Sequence, residues 1–291
     1  MTKYKVPVNE PYLSGNEKKY ILRCLDDGFI SSAGSFVEKF EKKFAKIVNR
    51  KFAVSVVNGT AALQLAFESL NLKKGDEVIL PSFTIISCAL PIVRTGAKPV
   101  LVDSDPDTWN MNVKHVQKKI TSKTKAIIAP HIYGLPIDMD PLLKIAKKNN
   151  LKIIEDAAEV LGLKYKNKKC GSFGDVSTFS FYANKHITTG EGGMIVTNDK
   201  KIAEKCRSLR NFCFNNKRRF LHHELGWNYR FTNLQSAIGL AQLEKLNKFV
   251  NKKRSIGKIY NKELSKIHEF DVPLNKTKYA ENIYWVYGIV L

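Results

Sequence analysis

The sequence predicts an α/β protein in which a mainly parallel central sheet is flanked by helices on both faces. Short apolar segments rich in β-branched residues alternate with amphipathic helical segments from residue 52 to residue 197. This alternation is typical of strand–helix–strand units, which build parallel sheets. In addition, candidate site residues follow several strand ends, where sheets of this kind bind their ligands: Gly59 and Thr60, His131, Asp156, and Lys185.

The elements follow in chain order from apolar periodicity and turn residues. Helices are predicted at residues 14–27, 36–48, 61–70, 85–93, 112–120, 138–150, 199–210 and 233–267. Strands are predicted at residues 52–57, 77–81, 99–103, 125–130, 151–156, 176–181, 194–197 and 283–291. Residues 211–231 have little periodicity and predict a long loop, which is usually functional or flexible.

The same assignment predicts two domains. Residues 13–240 form a large domain, and residues 241–291, together with 1–12, form part of a small α/β domain. A helix as long as 233–267 commonly bridges two domains. No partner strand follows the apolar segment 283–291, so the small domain is predicted to be truncated at its C-terminus. A chain extended there is expected to be more stable.

Composition limits the class of protein. The 44% hydrophobic fraction supports a folded core, and no apolar run approaches the ~18 residues that cross a bilayer. The N-terminal segment lacks the apolar centre of a signal peptide, so the cytoplasm is expected. Five scattered cysteines without a CxxC pair predict neither a disulfide framework nor a metal site. The net charge of +21 comes from dispersed lysines without an aromatic-interleaved basic patch, so no nucleic-acid partner is predicted.

Lys185 is the strongest candidate for a catalytic residue. It follows the apolar strand 176–181 and precedes a turn that contains Gly190, Gly192 and Gly193. A lysine that is desolvated in such a place has a lowered pKa, and its free amine can form a Schiff base. Most lysines in this lysine-rich chain are nevertheless expected to be solvated, so this interpretation depends on the neighbouring candidates.

Two further strand ends supply these neighbours. Asp156 ends the strand 151–156, and Gly59 and Thr60 lie between the strand 52–57 and the next helix. Taken alone, Asp156 could be a helix cap or an ion-pair partner, and the turn could be an ordinary strand–helix connection. Together they offer what pyridoxal phosphate needs: an amine for the aldehyde, a carboxylate for the ring nitrogen and a helix N-terminus for the phosphate.

The chain resembles the DegT/StrS family of sugar-nucleotide aminotransferases, which have the fold type I architecture of pyridoxal phosphate enzymes. The likeness covers essentially the whole chain. Its motifs are specific in combination: NGTAALQLAF, GDEVILPSFT, HIYGLPIDMD, IEDAAE, GSFGDVSTFSFYANKHITTGEGGMIVTND and GWNYRFTNLQSAIGLAQLE.

This resemblance implies roles for individual residues. Lys185 matches the Schiff-base lysine of the family, and Asp156 matches the partner of the pyridine nitrogen. Thr60, the backbone of Ala61, and Ser180 match the phosphate-binding positions.

Three other positions complete the implied set. Glu159 matches a position close to the cofactor ring, and Ile85 matches the position where many relatives carry an aromatic residue that stacks on the ring. Asn228 matches an asparagine that reaches the phosphate in the neighbouring subunit, which implies a homodimer with shared active sites.

The resemblance implies a reaction in which glutamate donates its amino group to a nucleotide-linked 4-keto-6-deoxy sugar. A GDP-linked sugar is favoured, and the product would serve surface polysaccharide synthesis. Several alternatives stay open: a dTDP- or UDP-linked keto sugar, amination at C3, or a sugar dehydratase of the same fold. A truncated, inactive regulatory or assembly protein is an alternative from another class.

Overall fold

The computed structural model describes residues 7, 9–215, 218–269 and 271–291, and its centre is a seven-stranded sheet. The spatial order of the strands is β1-β9-β8-β5-β4-β2-β3. The strands are β1 Phe52–Val56, β2 Glu77–Pro81, β3 Lys98–Val102, β4 Thr124–Pro130, β5 Lys152–Asp156, β8 Val176–Ser180 and β9 Gly193–Thr197. Only β9 runs antiparallel to its neighbours, β1 and β8. The predicted mainly parallel α/β fold is therefore confirmed.

Helices cover both faces of this sheet. They are α1 Glu17–Asp26, α2 Ser35–Ile47, α3 Gly59–Glu68, α4 Leu90–Arg94, α5 Val113–Lys119, α6 Met139–Lys148, α7 Lys200–Arg210, α8 Asn233–Glu244 and α9 Leu246–Leu264. Within the described residues, none of the helices combines the length and the apolar character that crossing a membrane requires.

The core has two apolar clusters, one on each side of the sheet. Along β5, Ile153 belongs to the cluster that includes α2 and α6, whereas Ile154 belongs to the cluster that includes α3 and α7. Successive side chains of a strand point to opposite faces, so both faces of a central strand must be apolar when helices cover both. This is why the strands appear in the sequence as continuous apolar runs.

The predicted helix at residues 233–267 is wrong in one respect, because the structure has two helices there. The break is at Lys245, where φ is −113° and ψ is 8°. Its backbone N–H donates to Gln242 O, as in the last turn of a helix. Thr232 begins α8 with a complete capping box.

The strand predicted at residues 283–291 is also wrong. A strand needs a hydrogen-bonded neighbour, and the described residues provide only an isolated bridge between Asp271 and Val290. Tyr284 has a φ of 47°, which is incompatible with an extended strand. The segment instead crosses towards the sheet, where the N–H of Ile283 donates to Gly134 O.

Two smaller differences occur in the connections. The helix predicted at residues 85–93 is a 3₁₀ turn, Ile86–Cys88, followed by α4. Pro91 lies in the first turn of α4 and cannot donate the N–H that would continue one helix through both segments. A short hairpin, β6 Lys164–Tyr165 and β7 Lys168–Lys169, was not predicted because its strands are too short to show periodicity.

Candidate active site

The candidate residues gather at the carboxyl edge of the sheet. Strands β1, β5 and β8 point in the same direction, so Gly59, Asp156 and Ser180 come to the same edge. Lys185 follows Ser180 after five residues, in a loop before β9. The topology therefore brings these strand ends to one edge of the sheet, as the sequence predicts.

The N-terminus of α3 forms a cradle between two strand ends. Asn58 caps the helix, with its side-chain oxygen accepting from the Ala61 N–H at 2.8 Å. A Cβ atom at Gly59 would lie 2.9 Å from Ser180 Cβ, so only glycine allows this close approach. The hydroxyl of Thr60 shares a 2.8 Å hydrogen bond with Ser87. Free amides and hydroxyls at a helix N-terminus suit an anion such as a phosphate.

Asp156 is a buried carboxylate held by two donors. One oxygen accepts from the N–H of Ala158 at 3.1 Å, and the other accepts from the thiol of Cys88 at 3.4 Å. Burial raises the pKa of Asp156, while the Ala158 hydrogen bond and the charge of Lys185 act in the opposite direction. Asp156 is therefore a desolvated carboxylate suited to a positively charged partner.

Lys185 points into the protein rather than into solvent. Its side chain is 12% exposed, and its Nζ lies 3.9 Å from Glu159 Oε1. Burial lowers the pKa of Lys185, partly offset by the charges of Glu159 and Asp156. Burial also raises the pKa of Glu159. Both shifts favour the uncharged forms, and for Lys185 this is the direction that makes an amine a better nucleophile.

Trp285 is a site residue that the sequence analysis missed. Its ring lies under Lys185, with Nζ 3.4 Å from the ring centroid, and its indole N–H donates to Asn184 O at 2.9 Å. The residue lies one hundred positions after Lys185, in a segment predicted to be a strand. No local pattern in the sequence indicates this contact, which arises only from the path of residues 282–285.

Two further predicted residues, Ile85 and Asn228, are exposed at the surface. Ile85 is 59% exposed at the start of the 3₁₀ turn. Asn228 is exposed, and its backbone forms an isolated bridge with Asn211. In the part of the chain that the structure describes, no hydrogen bond joins the Asn228 side chain to Lys185 or Asp156.

His131 follows the end of β4 but does not face the cluster, contrary to expectation. Its Nε2 lies 3.1 Å from Glu155 Oε1, and its Nδ1 accepts from the N–H of Ile137. Both ring nitrogens are therefore occupied within the protein. Adjacent residues of a strand face opposite ways, so Glu155 and Asp156 serve different sides of the sheet.

Glu155 holds the turn before β8, and its removal is expected to destabilise the fold. Burial alone would raise its pKa. His131 and the N–H groups of Gly171 and Phe173 instead lower it from 4.5 to about 2. The stabilisation is therefore complete above pH 4.5 and is lost as the pH falls towards 2. Glu155→Gln is expected to lower the free energy of unfolding at pH 7 by about 3–5 kcal/mol, measured by urea denaturation.

The acid limb of the stability profile provides the control. The wild type is expected to lose stability between about pH 4.5 and 2, and Glu155→Gln to lose less over that range. Equal acid profiles for the two proteins would contradict the assigned role of Glu155.

The donor set fits pyridoxal phosphate. Gly59 lies so close to Ser180 that a Cβ would clash, which brings the Ser180 hydroxyl to the N-terminus of α3, where an anion such as a phosphate is favoured. The buried carboxylate of Asp156 suits a protonated ring nitrogen, and the largely buried amine of Lys185 suits an aldehyde. The fold and this site define a pyridoxal phosphate-dependent transferase.

Comparison with known proteins gives the family. The sequence model of the DegT/DnrJ/EryC1/StrS aminotransferase family matches residues 11–291, and the chain belongs to this family. It is 46% identical to a GDP-perosamine synthase from Escherichia coli O157:H7, covering 98% of this chain and 78% of that protein. Its identity to a GDP-perosamine synthase from Caulobacter vibrioides is 44%, covering 99% and 77%.

A solved structure supports the fold and the cofactor. The E. coli GDP-4-keto-6-deoxy-D-mannose-3-dehydratase with bound hydrated PLP superimposes with a TM-score of 0.91 at 28% identity. The match covers 97% of this chain and 78% of that one. The predicted family, the fold type I architecture and the cofactor pyridoxal phosphate are confirmed. The chain is a pyridoxal phosphate-dependent sugar aminotransferase.

Proposed function

We propose that the chain transfers the amino group of glutamate to C4 of GDP-4-keto-6-deoxymannose. The observation that carries the proposal is the largely buried amine of Lys185, which feels the charge of Asp156, in a chain 46% identical to a GDP-perosamine synthase. The product, a GDP-linked 4-amino sugar, would serve surface polysaccharide synthesis.

In the proposed reaction, Lys185 is the residue that would bind the cofactor covalently and move protons. When bound, pyridoxal phosphate supplies an aldehyde and an electron-accepting ring. Lys185 would hold the group through its aldehyde carbon. Once the amino group of glutamate has displaced Lys185 there, the freed amine would carry the proton from the amino-bearing carbon of glutamate to the former aldehyde carbon. On the return half of the reaction, the same amine places a proton on C4 of the sugar.

The other residues hold the cofactor and set its charge. The buried carboxylate of Asp156 keeps a proton on the ring nitrogen, which makes the ring accept electrons. Thr60, Ser180 and the N-terminus of α3 would bind the phosphate, once the Ala61 N–H exchanges its Asn58 partner or shares it. Glu159 lies 3.9 Å from Lys185 Nζ and is placed to orient the amine.

The other activities are less well supported. A dehydratase of this fold would carry a histidine in place of the catalytic lysine, and here that position is Lys185. The neighbouring His186 is buried, which lowers its pKa to about 3, so it is neutral at physiological pH. An inactive protein would have no need to keep Lys185 buried beside an intact Asp156.

The test of the substrate is a comparison of nucleotide sugars. Purified protein is incubated with glutamate and the GDP-, dTDP- or UDP-linked 4-keto sugar, and the products are identified by mass spectrometry. The GDP-linked sugar is expected to give an amino sugar at the highest rate. Preference for a dTDP- or UDP-linked sugar, or amination at C3, would contradict the proposed substrate while leaving the family intact.

The proposal includes a homodimer that works in the cytoplasm with shared active sites. The exposed position of Asn228 supports it, because this residue would reach the phosphate site of the partner. The five cysteines are all buried and free, which fits a reducing compartment.

Mixing two inactive variants tests the shared site. Lys185→Ala and Asn228→Ala are each expected to lose most activity, but a dimer containing one copy of each has one intact site. Mixed and reassociated, the two proteins are therefore expected to regain activity in a glutamate assay. Activity that stays at the level of the separate variants, in dimers shown to have exchanged subunits, would contradict the shared site.

A further inference from the structure

The 3₁₀ turn Ile86–Cys88 contacts both ends of the proposed cofactor site through adjacent residues. Ser87 hydrogen-bonds to Thr60 at 2.8 Å, and Cys88 donates to Asp156 at 3.4 Å. Thr60 belongs to the phosphate end and Asp156 to the ring-nitrogen end. Neither contact follows from the single helix predicted at residues 85–93.

At the ring-nitrogen end, Cys88 and Ala158 fix the carboxylate of Asp156. Cys88 has no exposed surface, and the Thr84 hydroxyl lies 3.4 Å from its sulfur. Burial raises the pKa of Cys88 well above its usual value, so the group stays a thiol and can donate. Since Ala158 donates to the other oxygen of Asp156, both oxygens have a donor and the carboxylate cannot rotate freely.

At the phosphate end, Ser87 orients the hydroxyl of Thr60. Thr60 and Ser87 share one hydrogen bond through their hydroxyls, and this bond fixes the orientation of the Thr60 hydroxyl. When Ser87 is the donor, the proton of Thr60 remains free to bind an anion. Because Ser87 and Cys88 are neighbours on a rigid turn, the positions of the two ends of the site are coupled by one backbone segment.

We propose that the turn Ile86–Cys88 is a positioning element of the cofactor site, with Cys88 orienting Asp156 and Ser87 orienting Thr60. The inference rests on the proposed site and deepens it. A thiol is a weak donor, so it holds the carboxylate in place without removing much of its negative charge. That charge stays available for the ring nitrogen.

The test measures cofactor binding and a spectroscopic pH profile. Cys88→Ala is expected to weaken pyridoxal phosphate binding about 3- to 10-fold, which is typical for loss of one hydrogen bond. The absorbance reports protonation of the nitrogen that joins Lys185 to the cofactor, and its pH midpoint is expected to move upward. A misplaced carboxylate leaves the ring less positively charged, so the ring opposes protonation of that nitrogen less. The charged or titratable groups around Asp156 are Lys185, Glu159, His131 and Cys88 itself.

Two matched variants separate positioning from packing. Cys88→Ser restores a donor. It is expected to return the affinity for pyridoxal phosphate to within about twofold of the wild type and to reverse the upward shift of the pH midpoint. Cys206→Ala removes an equally buried thiol, whose sulfur faces the backbone oxygen of Leu65 at 3.7 Å, and should change neither readout. An equal shift in Cys206→Ala, or failure of Cys88→Ser to rescue, would overturn the role of Cys88.

The phosphate end is tested with pyridoxal, which lacks the phosphate. Ser87→Ala is expected to weaken binding of pyridoxal phosphate about 3- to 10-fold and to leave pyridoxal binding unchanged. Cys88→Ala should weaken both. Equal losses for the two ligands in Ser87→Ala would overturn this half of the proposal. A wild type that takes up no pyridoxal phosphate would overturn the proposed site itself. Normal uptake by the wild type, with unchanged affinity in the Ser87 and Cys88 variants, would overturn only the positioning role of the turn.

Discussion

Replacing Lys185 by alanine is expected to abolish the borohydride-sensitive absorbance band of the cofactor-loaded protein. Transamination should fall by at least about 10²- to 10⁴-fold, because the protein then lacks both the amine that holds the aldehyde and the group that moves the proton. The measurement is an absorbance spectrum before and after borohydride, followed by a glutamate half-reaction. A residual band of wild-type size would contradict the role of Lys185.

Two controls define the origin of this loss. Lys185→Arg keeps a cation but cannot act as a nucleophile, since a guanidinium stays protonated, and it should be as inactive as the alanine variant. Lys200→Ala removes a lysine whose side chain is 75% exposed at the start of α7, and it should behave like the wild type. Activity in Lys185→Arg would show that charge, rather than nucleophilicity, is what the site needs.

Replacing Asp156 by asparagine is expected to lower kcat by about 10²- to 10³-fold, in the range seen when one preorganised electrostatic group is lost. Asparagine keeps the shape and one acceptor, but it has no negative charge to keep the ring nitrogen protonated. The cofactor should still attach to Lys185, so the borohydride-sensitive band should remain. Stopped-flow measurement of the glutamate half-reaction checks the rate.

The matched control for this change is Asp199→Asn. Asp199 caps α7 through the N–H groups of Lys201 and Ile202, and asparagine is an equally good helix cap. The control therefore makes the same chemical change far along the chain and should leave kcat unaltered. If Asp156→Asn keeps the wild-type rate, the carboxylate does not govern the ring nitrogen.

The strand ends could be predicted because their signal is local. Lys185, Asp156 and Gly59 each follow a short apolar run, and a mainly parallel sheet brings such run ends to one edge. The same reasoning was wrong for His131, which also follows a strand end. Its ring hydrogen-bonds to Glu155 on the other face of the sheet. A position at a strand end therefore does not decide which face the side chain lies on, because successive residues of a strand point to opposite faces.

Contacts between distant segments carried no signal in the sequence. Cys88 appears there as one of five scattered cysteines, and its contact with Asp156 requires residues 68 positions apart to pack together. Trp285 is more remote still, one hundred positions after Lys185, and its segment was predicted to be a strand. Both were missed because a single sequence gives the periodicity of each segment but not the distances between segments.

The sequence by itself determined the alternation of strands and helices and the family motifs, and it indicated Lys185, Asp156 and Thr60 as candidate site residues. Only the tertiary structure decided that Lys185 is buried over Trp285, that Glu155 rather than Asp156 binds His131, and that one 3₁₀ turn contacts both ends of the site. The physical reason is that periodicity and turn residues act over a few neighbouring positions. Desolvation and hydrogen-bond geometry depend on whatever the fold brings within about 4 Å.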